Sequence, residues 1–131
     1  MLVDANVLMY AAGRAHAHKA PSVTLVRRIA AGELEAAVDA EVLQELLHRY
    51  RALGRWAEGR EVYDLARVVF SVVLSITTVE LDRARLVLDA HEGVMARDAL
   101  HAAVVLEHGL DGIYSYDRDF DRITGIRRRE P

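Results

Sequence analysis

Carboxylates are the side chains of this sequence most able to do chemistry, and the first of them is Asp4. It follows the apolar pair Leu2-Val3, and residues 1–4 read as a short buried strand. A charge at the end of a buried strand costs several kcal/mol unless it is paired or bound to a metal ion. The alternative is that Asp4 caps the helix that begins near Asn6. Asn6 could take over that cap and leave Asp4 free, so position alone leaves both roles open.

Asp98 is set apart by helical spacing. With Ala102 and Val105 it occupies positions i, i+4 and i+7 of one stripe, so its carboxylate points to the side where the helix buries apolar groups. A first-turn aspartate that complements the helix dipole is the alternative, but we favour a functional role. His101, one turn further on, could orient a carboxylate or a phosphate, although a structural histidine is the simpler interpretation.

Three aspartates alternate near the end of the chain: Asp117, Asp119 and Asp121. Their spacing resembles the start of an EF-hand loop. That match fails, because Arg122 stands where the loop needs glycine and Arg128 where it needs glutamate. A solvated turn is the alternative for Asp121. Ser115, which precedes the three, could donate a hydrogen bond to a nearby carboxylate or to a metal-bound water.

Two glutamates, Glu41 and Glu45, belong to a strongly amphipathic helix predicted over residues 41–53. Its apolar stripe consists of Val42, Leu43, Leu46, Leu47 and Tyr50. Both glutamates lie off this stripe, so spacing cannot choose between them, and an exposed helix glutamate is the default interpretation.

Composition excludes several classes of protein. The chain has no cysteine, which excludes disulfide scaffolds, cysteine-ligated zinc and cysteine nucleophiles and fits a reducing cytoplasm. P-loop, GxGxxG, GxSxG and HExxH patterns are absent. No apolar run approaches the ~20 residues of a membrane helix. We therefore expect a soluble, intracellular protein without a membrane segment or signal peptide.

The net charge of −3 does not by itself suggest a nucleic-acid binder. The 17 basic residues are nonetheless all arginine except Lys19. Arginine suits bidentate contacts with phosphate, but a high-GC genome would give the same bias, so the arginines decide nothing alone.

Short apolar strands alternate with longer helices along the chain. Strands are predicted at residues 1–4, 36–39, 72–77, 112–116 and 126–128, and helices at 7–12, 22–31, 41–53, 56–69, 79–91 and 96–108, with Thr78 as a cap, a loop over 14–21 and a turn or short helix over 117–123. This alternation predicts one α/β domain over residues 1–131 with a mainly parallel sheet. Ligands of such sheets bind beyond the carboxyl ends of the strands, which is where Asp4 and Asp117 fall.

Four segments, taken in order, resemble the PIN-domain ribonucleases, and most closely the VapC-type toxins of toxin–antitoxin pairs. They are Leu2-Val3-Asp4-Ala5-Asn6-Val7-Leu8, Val42-Leu43-Gln44-Glu45-Leu46, Arg97-Asp98-Ala99-Leu100-His101-Ala102-Ala103 and Ser115-Tyr116-Asp117-Arg118-Asp119-Phe120-Asp121. Each segment is weak alone, but the order, the spacing and the chain length together are fairly specific.

The resemblance implies a three-layer α/β/α sandwich and a shared site for metal and catalysis. It assigns both roles to one acidic quartet: Asp4, Glu45, Asp98 and Asp117. It adds Asp119 as an auxiliary acid and Asn6 as a small polar residue of the site, and it selects Glu45 over Glu41. Ser115 stands where threonine is also common, and we count it as auxiliary.

The resemblance also implies a mechanism and partners. Four clustered carboxylates repel one another and need cations, and all-oxygen ligands select Mg²⁺ or Mn²⁺. One or two such ions could activate water for hydrolysis of RNA. Arg49, Arg51 and Arg55, or Arg127 to Arg129, could hold flanking phosphates. The implied partners are RNA, a cognate antitoxin and a second copy of the chain in a homodimer.

Two rival functions remain from the sequence. A phosphotransfer or phosphatase domain could use a strand-end aspartate as acceptor, but such folds usually need a partner lysine and Lys19 lies in the predicted loop. A non-catalytic RNA- or protein-binding module could keep the same fold, although the intact acidic quartet argues against it.

Overall fold

The computed structural model describes residues 1–131, with five short strands and six α-helices. The strands are β1 (Leu2–Val3), β2 (Val38–Asp39), β3 (Val73–Leu74), β4 (Ile113–Tyr114) and β5 (Arg128–Arg129). The helices are α1 (Ala5–Ala12), α2 (Lys19–Ala30), α3 (Ala40–Ala52), α4 (Trp56–Val69), α5 (Thr78–Ala90) and α6 (Ala96–Glu107), and a 3₁₀ helix spans Arg118–Arg122.

Every strand pairing in the structure is parallel. β1 pairs with β4, β4 with β5, and β2 with β3. A parallel bridge between Leu2 and Ala37 joins the two sets. The strand order is therefore β3-β2-β1-β4-β5, and the predicted parallel sheet is confirmed. All five strands end at the same edge of the sheet.

Helices cover both faces of the sheet, because side chains alternate along each strand. Val3 and Val38 pack into a core with α1, α2, α3 and α4. Leu2 and Ile113 point to the other face and pack against α5 and α6. Both cores contain fully buried side chains, so the α/β/α sandwich implied by the resemblance is confirmed.

Two helices, α1 and α2, begin more than one residue earlier than the sequence patterns predict. α1 starts at Ala5, directly after β1, and Asp4 is its N-cap. Of the two caps that the sequence left open, Asp4 rather than Asn6 is therefore the one that forms. α2 starts at Lys19, so the end of the predicted loop is helical. Pro21 falls in the first turn, where its missing N–H has no helical partner to lose.

The cap of α5 is Thr77 rather than the predicted Thr78. The Thr77 side chain accepts a hydrogen bond from the Val79 backbone N–H, and the Thr77 backbone N–H donates to Glu80 at 2.7 Å. This is a capping box, which satisfies backbone donors at the helix start from both sides.

Helices α3 and α4 approach closely at Gly59. A Cβ placed there would lie 2.3 Å from Cβ of Tyr50, so no larger residue fits without displacing a helix. This contact fixes α3, which carries Glu45, against its neighbour.

None of the helices is both long and apolar enough to cross a membrane.

Candidate active site

The parallel sheet brings together polar residues that are far apart in the sequence. Asp4 follows β1, Asp39 ends β2, and Ser115 and Asp117 follow β4. The backbone N–H of Asp4 donates to the carbonyl of Tyr114 at 3.0 Å, which holds the ends of β1 and β4 side by side. The strand-end location predicted for Asp4 and Asp117 is therefore where the structure places them.

Asp4 is held by two side chains that the sequence marked as auxiliary. It is only 6% exposed. Nδ2 of Asn6 donates to Oδ2 of Asp4 at 2.6 Å and lies 3.0 Å from Oγ of Ser115, which also donates to Oδ2. Burial raises the pKa of Asp4 and the Glu45 charge adds to this, while His101, Ser115 and Asn6 oppose it. Asp4 is thus both a helix cap and a fixed, partly destabilised carboxylate.

Glu45 reaches the same site from α3. Its side chain is 16% exposed, so it is not the freely exposed glutamate that spacing alone suggested. Nη1 of Arg97 lies 2.9 Å from its carboxylate, and Nε of Arg97 lies 3.5 Å from Glu41. Sequence analysis did not single out Arg97, although it directly precedes Asp98. Its guanidinium offsets part of the negative charge.

Asp98, Asp117 and Asp119 form a second acidic group, with one oxygen of each within 4.8 Å of the others. Asp98 is half-buried and Asp117 is exposed. The pKa of Asp98 is raised to about 6, first by burial and then by repulsion from neighbouring carboxylates, while His101 opposes the shift. The half-burial is what the helical stripe predicted for Asp98, and its place beside other carboxylates is what the family resemblance implied.

One cavity connects these groups. It has a volume of about 770 Å³. The acidic quartet lines it, together with Asn6 and His101. Four arginines also line it: Arg14, Arg49, Arg55 and Arg97. Of the arginines suggested by the sequence, Arg49 and Arg55 therefore reach the cavity, and Arg128 is instead paired with Asp121 and Glu130.

Sequence analysis named His101 but missed its partner Asp39, and the pair is buried beside the acidic groups. Asp39 is 0% exposed and His101 is 1% exposed. Nδ1 of His101 lies 2.7 Å from Oδ2 of Asp39. Burial lowers the pKa of His101, but the hydrogen bond and charge of Asp39, with the charges of Asp4 and Glu45, outweigh it and raise the pKa. One signal was available, since Asp39 ends the strand predicted over residues 36–39 just as Asp4 ends the one predicted over residues 1–4.

The donors present fit a divalent metal ion. Two groups of side chains bring ligand atoms close enough to share an ion: Asp4, Glu45 and His101, and Asp98, Asp117 and Asp119. Oxygen donors dominate both, which suits hard cations. One buried polar atom at the site, Nε2 of His101, has no hydrogen-bond partner.

The raised pKa of Asp98 predicts how the stability of the metal-free protein depends on pH. Its folded-state pKa of about 6 lies above the ordinary aspartate value of 3.8, so the folded protein holds the proton more tightly. The free energy of unfolding should therefore fall as pH rises from the lower to the higher of these two pKa values, because Asp98 ionises first in the unfolded chain. The raised pKa of Asp4 acts in the same direction.

We expect the free energy of unfolding to fall by about 1 kcal/mol as Asp98 ionises, and not by more, since Asp98 is partly exposed and solvent screens its charge. Urea unfolding in EDTA at several pH values measures it. Asp98→Asn should flatten the pH dependence and hold or raise stability at neutral pH, whereas the exposed control Asp111→Asn should leave the curve unchanged. A parent curve that rises across this window would contradict the prediction.

Comparisons with known proteins were made for both the sequence and the fold. The PIN domain family matches residues 1–126. A VapC ribonuclease of Mycobacterium bovis and ribonuclease VapC13 of Mycobacterium tuberculosis are each 38% identical over 128 residues, covering 98% of this chain and 98% of theirs.

Two solved structures share the fold at low sequence identity. The M. tuberculosis toxin VapC20, described as cleaving the sarcin-ricin loop, has a TM-score of 0.80 at 16% identity and covers 99% of this chain and 98% of its own. The VapBC2 structure from Rickettsia felis, bound to a promoter DNA fragment, has a TM-score of 0.76 at 14% identity, with coverages of 98% and 96%.

Proposed function

The chain belongs to the PIN-domain family and, within it, to the VapC ribonucleases, and from this premise we propose that it is a metal-dependent endoribonuclease that acts as the toxin of a toxin–antitoxin pair. The observation that carries the proposal is the cavity at the carboxyl edge of the sheet. Carboxylates from the residue after β1, from α3 and α6, and from the segment after β4 converge on it. A single PIN-like domain over residues 1–131 supplies the whole set.

We assign the metal-binding and catalytic roles to the acidic quartet defined above. Asn6 and Ser115 orient Asp4 through the hydrogen bonds already described, and Asp119 adds negative charge beside Asp98 and Asp117. Mg²⁺ and Mn²⁺ are the ions of choice, because the quartet offers only oxygen ligands. When bound, such an ion activates water and offsets the charge of the scissile phosphate.

The arginines of the cavity suit an RNA backbone. Arg14 and Arg49 line it without an ion pair in the structure, so their guanidinium groups are available to phosphates on either side of the cleaved bond. Arg97 remains with Glu45. This arrangement reconciles a net charge of −3 with a polyanionic substrate, since the cations are local to the site.

We also propose an antitoxin partner and a homodimer in the cytoplasm. The cavity is open at the surface and its four carboxylates lie together, so an extended antitoxin tail could cover it and place a basic side chain among them. One solved structure of this fold is a toxin–antitoxin complex from Klebsiella pneumoniae, with a TM-score of 0.68. A complex in which the cavity stays open would contradict this mode of inhibition.

The ends of the cleaved RNA test the proposed reaction. Attack by water should leave 5′-phosphate and 3′-hydroxyl ends, because the 2′-hydroxyl of the RNA takes no part. Cleavage of a structured RNA with Mn²⁺, followed by end-specific labelling of the fragments, measures this. Fragments that carry 2′,3′-cyclic phosphates would rule out the mechanism. A phosphatase or a non-catalytic module would give no internal cleavage at all.

A further inference from the structure

Asp39 and His101 form a fully buried pair that the proposed reaction does not yet use. Nδ1 of the His101 ring is bonded to Oδ2 of Asp39 at 2.7 Å. The other oxygen of Asp39 accepts a hydrogen bond from the backbone N–H of Val42 at 2.8 Å, in the first turn of α3. The ring is therefore tied to the same helix that carries Glu45, and its orientation is fixed.

The second nitrogen of this ring is the exceptional atom. Nε2 is the only buried side-chain nitrogen or oxygen of the structure that lacks a hydrogen-bond partner. A purely structural histidine would satisfy both nitrogens, because a buried polar atom without a partner costs free energy. A ring nitrogen of His101 lies within 4.8 Å of carboxylate oxygens of both Asp4 and Glu45. Since Nδ1 is hydrogen-bonded to Asp39, Nε2 is the nitrogen that can share a ligand with Asp4 and Glu45.

We propose that Nε2 of His101, with the carboxylates of Asp4 and Glu45, binds the divalent ion that the proposed ribonuclease requires, and that Asp39 positions the ring for this. The inference rests on the proposed function and adds a nitrogen ligand to an otherwise all-oxygen site. With the Nδ1 proton held by Asp39, the metal ion would bind the lone pair of Nε2 in place of a proton. Metal-bound histidines commonly have this carboxylate partner.

The nitrogen ligand gives the site a metal preference. Imidazole favours the later first-row ions, and affinity for N and O sites rises along that series from Mn²⁺ onward, whereas Mg²⁺ depends on oxygen ligands. His101→Gln should therefore weaken Mn²⁺ binding by at least about tenfold and change Mg²⁺ binding much less. Asp39→Asn keeps the volume but weakens the hydrogen bond that orients the ring. Loss of a residue that supports a metal ligand in this way costs about 10–100-fold in metal affinity.

Pulsed electron paramagnetic resonance of the full chain with Mn²⁺, in the absence of RNA, tests the proposal. A directly bound imidazole modulates the Mn²⁺ signal through its nitrogen nucleus. We expect this nitrogen coupling in the parent protein and in the control His108→Gln, which changes the histidine that directly follows α6 and pairs with Glu80. The coupling should disappear in His101→Gln.

The parent spectrum decides even if a variant fails to fold. Bound Mn²⁺ without nitrogen coupling would overturn the proposal, and so would equal Mn²⁺ affinity in the parent and a folded His101→Gln. Bound Mn²⁺ without nitrogen coupling is the result expected if His101 stays protonated and only offsets the charge of the carboxylates. Because RNA is absent, the spectrum is independent of activity. Cleavage without nitrogen coupling would contradict this inference alone. Nitrogen coupling without cleavage would contradict the proposed function alone.

Discussion

Asp98→Asn should lower RNA cleavage by on the order of 100-fold or more, since loss of groups that merely support metal ligands already costs about 10–100-fold. Asp98 lies half-buried among like charges, with its pKa raised to about 6. The substitution removes one charge at nearly constant volume, so the fold should survive. Initial rates of cleavage of a structured RNA at saturating Mn²⁺ measure the effect.

The same variant should lose much of its response to metal. An ion that binds only the folded state stabilises it by about 2.7 kcal/mol at a concentration 100 times its dissociation constant. Mn²⁺ should therefore raise the melting temperature of the parent, and the shift should shrink in Asp98→Asn but not in Asp111→Asn. If Asp98 only complements the helix dipole, the variant would lose up to ~1 kcal/mol of stability and keep its activity and metal shift. A destabilised, fully active variant would contradict the assignment.

Expression of the parent protein without an antitoxin should slow growth of the host strongly, and Asp4→Asn should relieve the arrest. Asp4 is held by Asn6 and Ser115 at the end of β1. An asparagine keeps the volume and can still cap α1, but it places an amide against side-chain donors and removes the charge. Colony counts after induction measure the effect, with protein levels matched by immunoblot. Equal toxicity of parent and variant at matched levels would count against the assignment.

Much of the site follows from local patterns in the sequence. Asp4 and Asp117 follow apolar strands, and a parallel sheet must gather strand ends at one edge. Asp98 was found from its stripe on α6, because burial of a charge breaks an otherwise apolar pattern. Glu45 was different: its position off the apolar stripe predicted exposure, and only the family resemblance selected it.

The rest depends on contacts that no local pattern encodes. Asp39 and His101 are 62 residues apart, and their hydrogen bond exists only after β2 and α6 are packed. Arg97 meets Glu45 across two helices for the same reason. By contrast, the cap of α5 was within reach, because Thr77 and Glu80 have the spacing of a capping box. Two adjacent threonines, Thr77 and Thr78, could each be the N-cap, and only the backbone geometry shows that it is Thr77.

The dependence of RNA cleavage on a divalent ion tests the central claim most directly. The protein is stripped with EDTA, and cleavage of a structured RNA is followed before and after Mn²⁺ or Mg²⁺ is restored. The carboxylates around the cavity require a cation to approach a phosphate, so we predict no cleavage in EDTA and recovery with either ion, absent in Asp4→Asn. Undiminished cleavage in EDTA would contradict the claim that this acidic cavity is a metal-dependent active site.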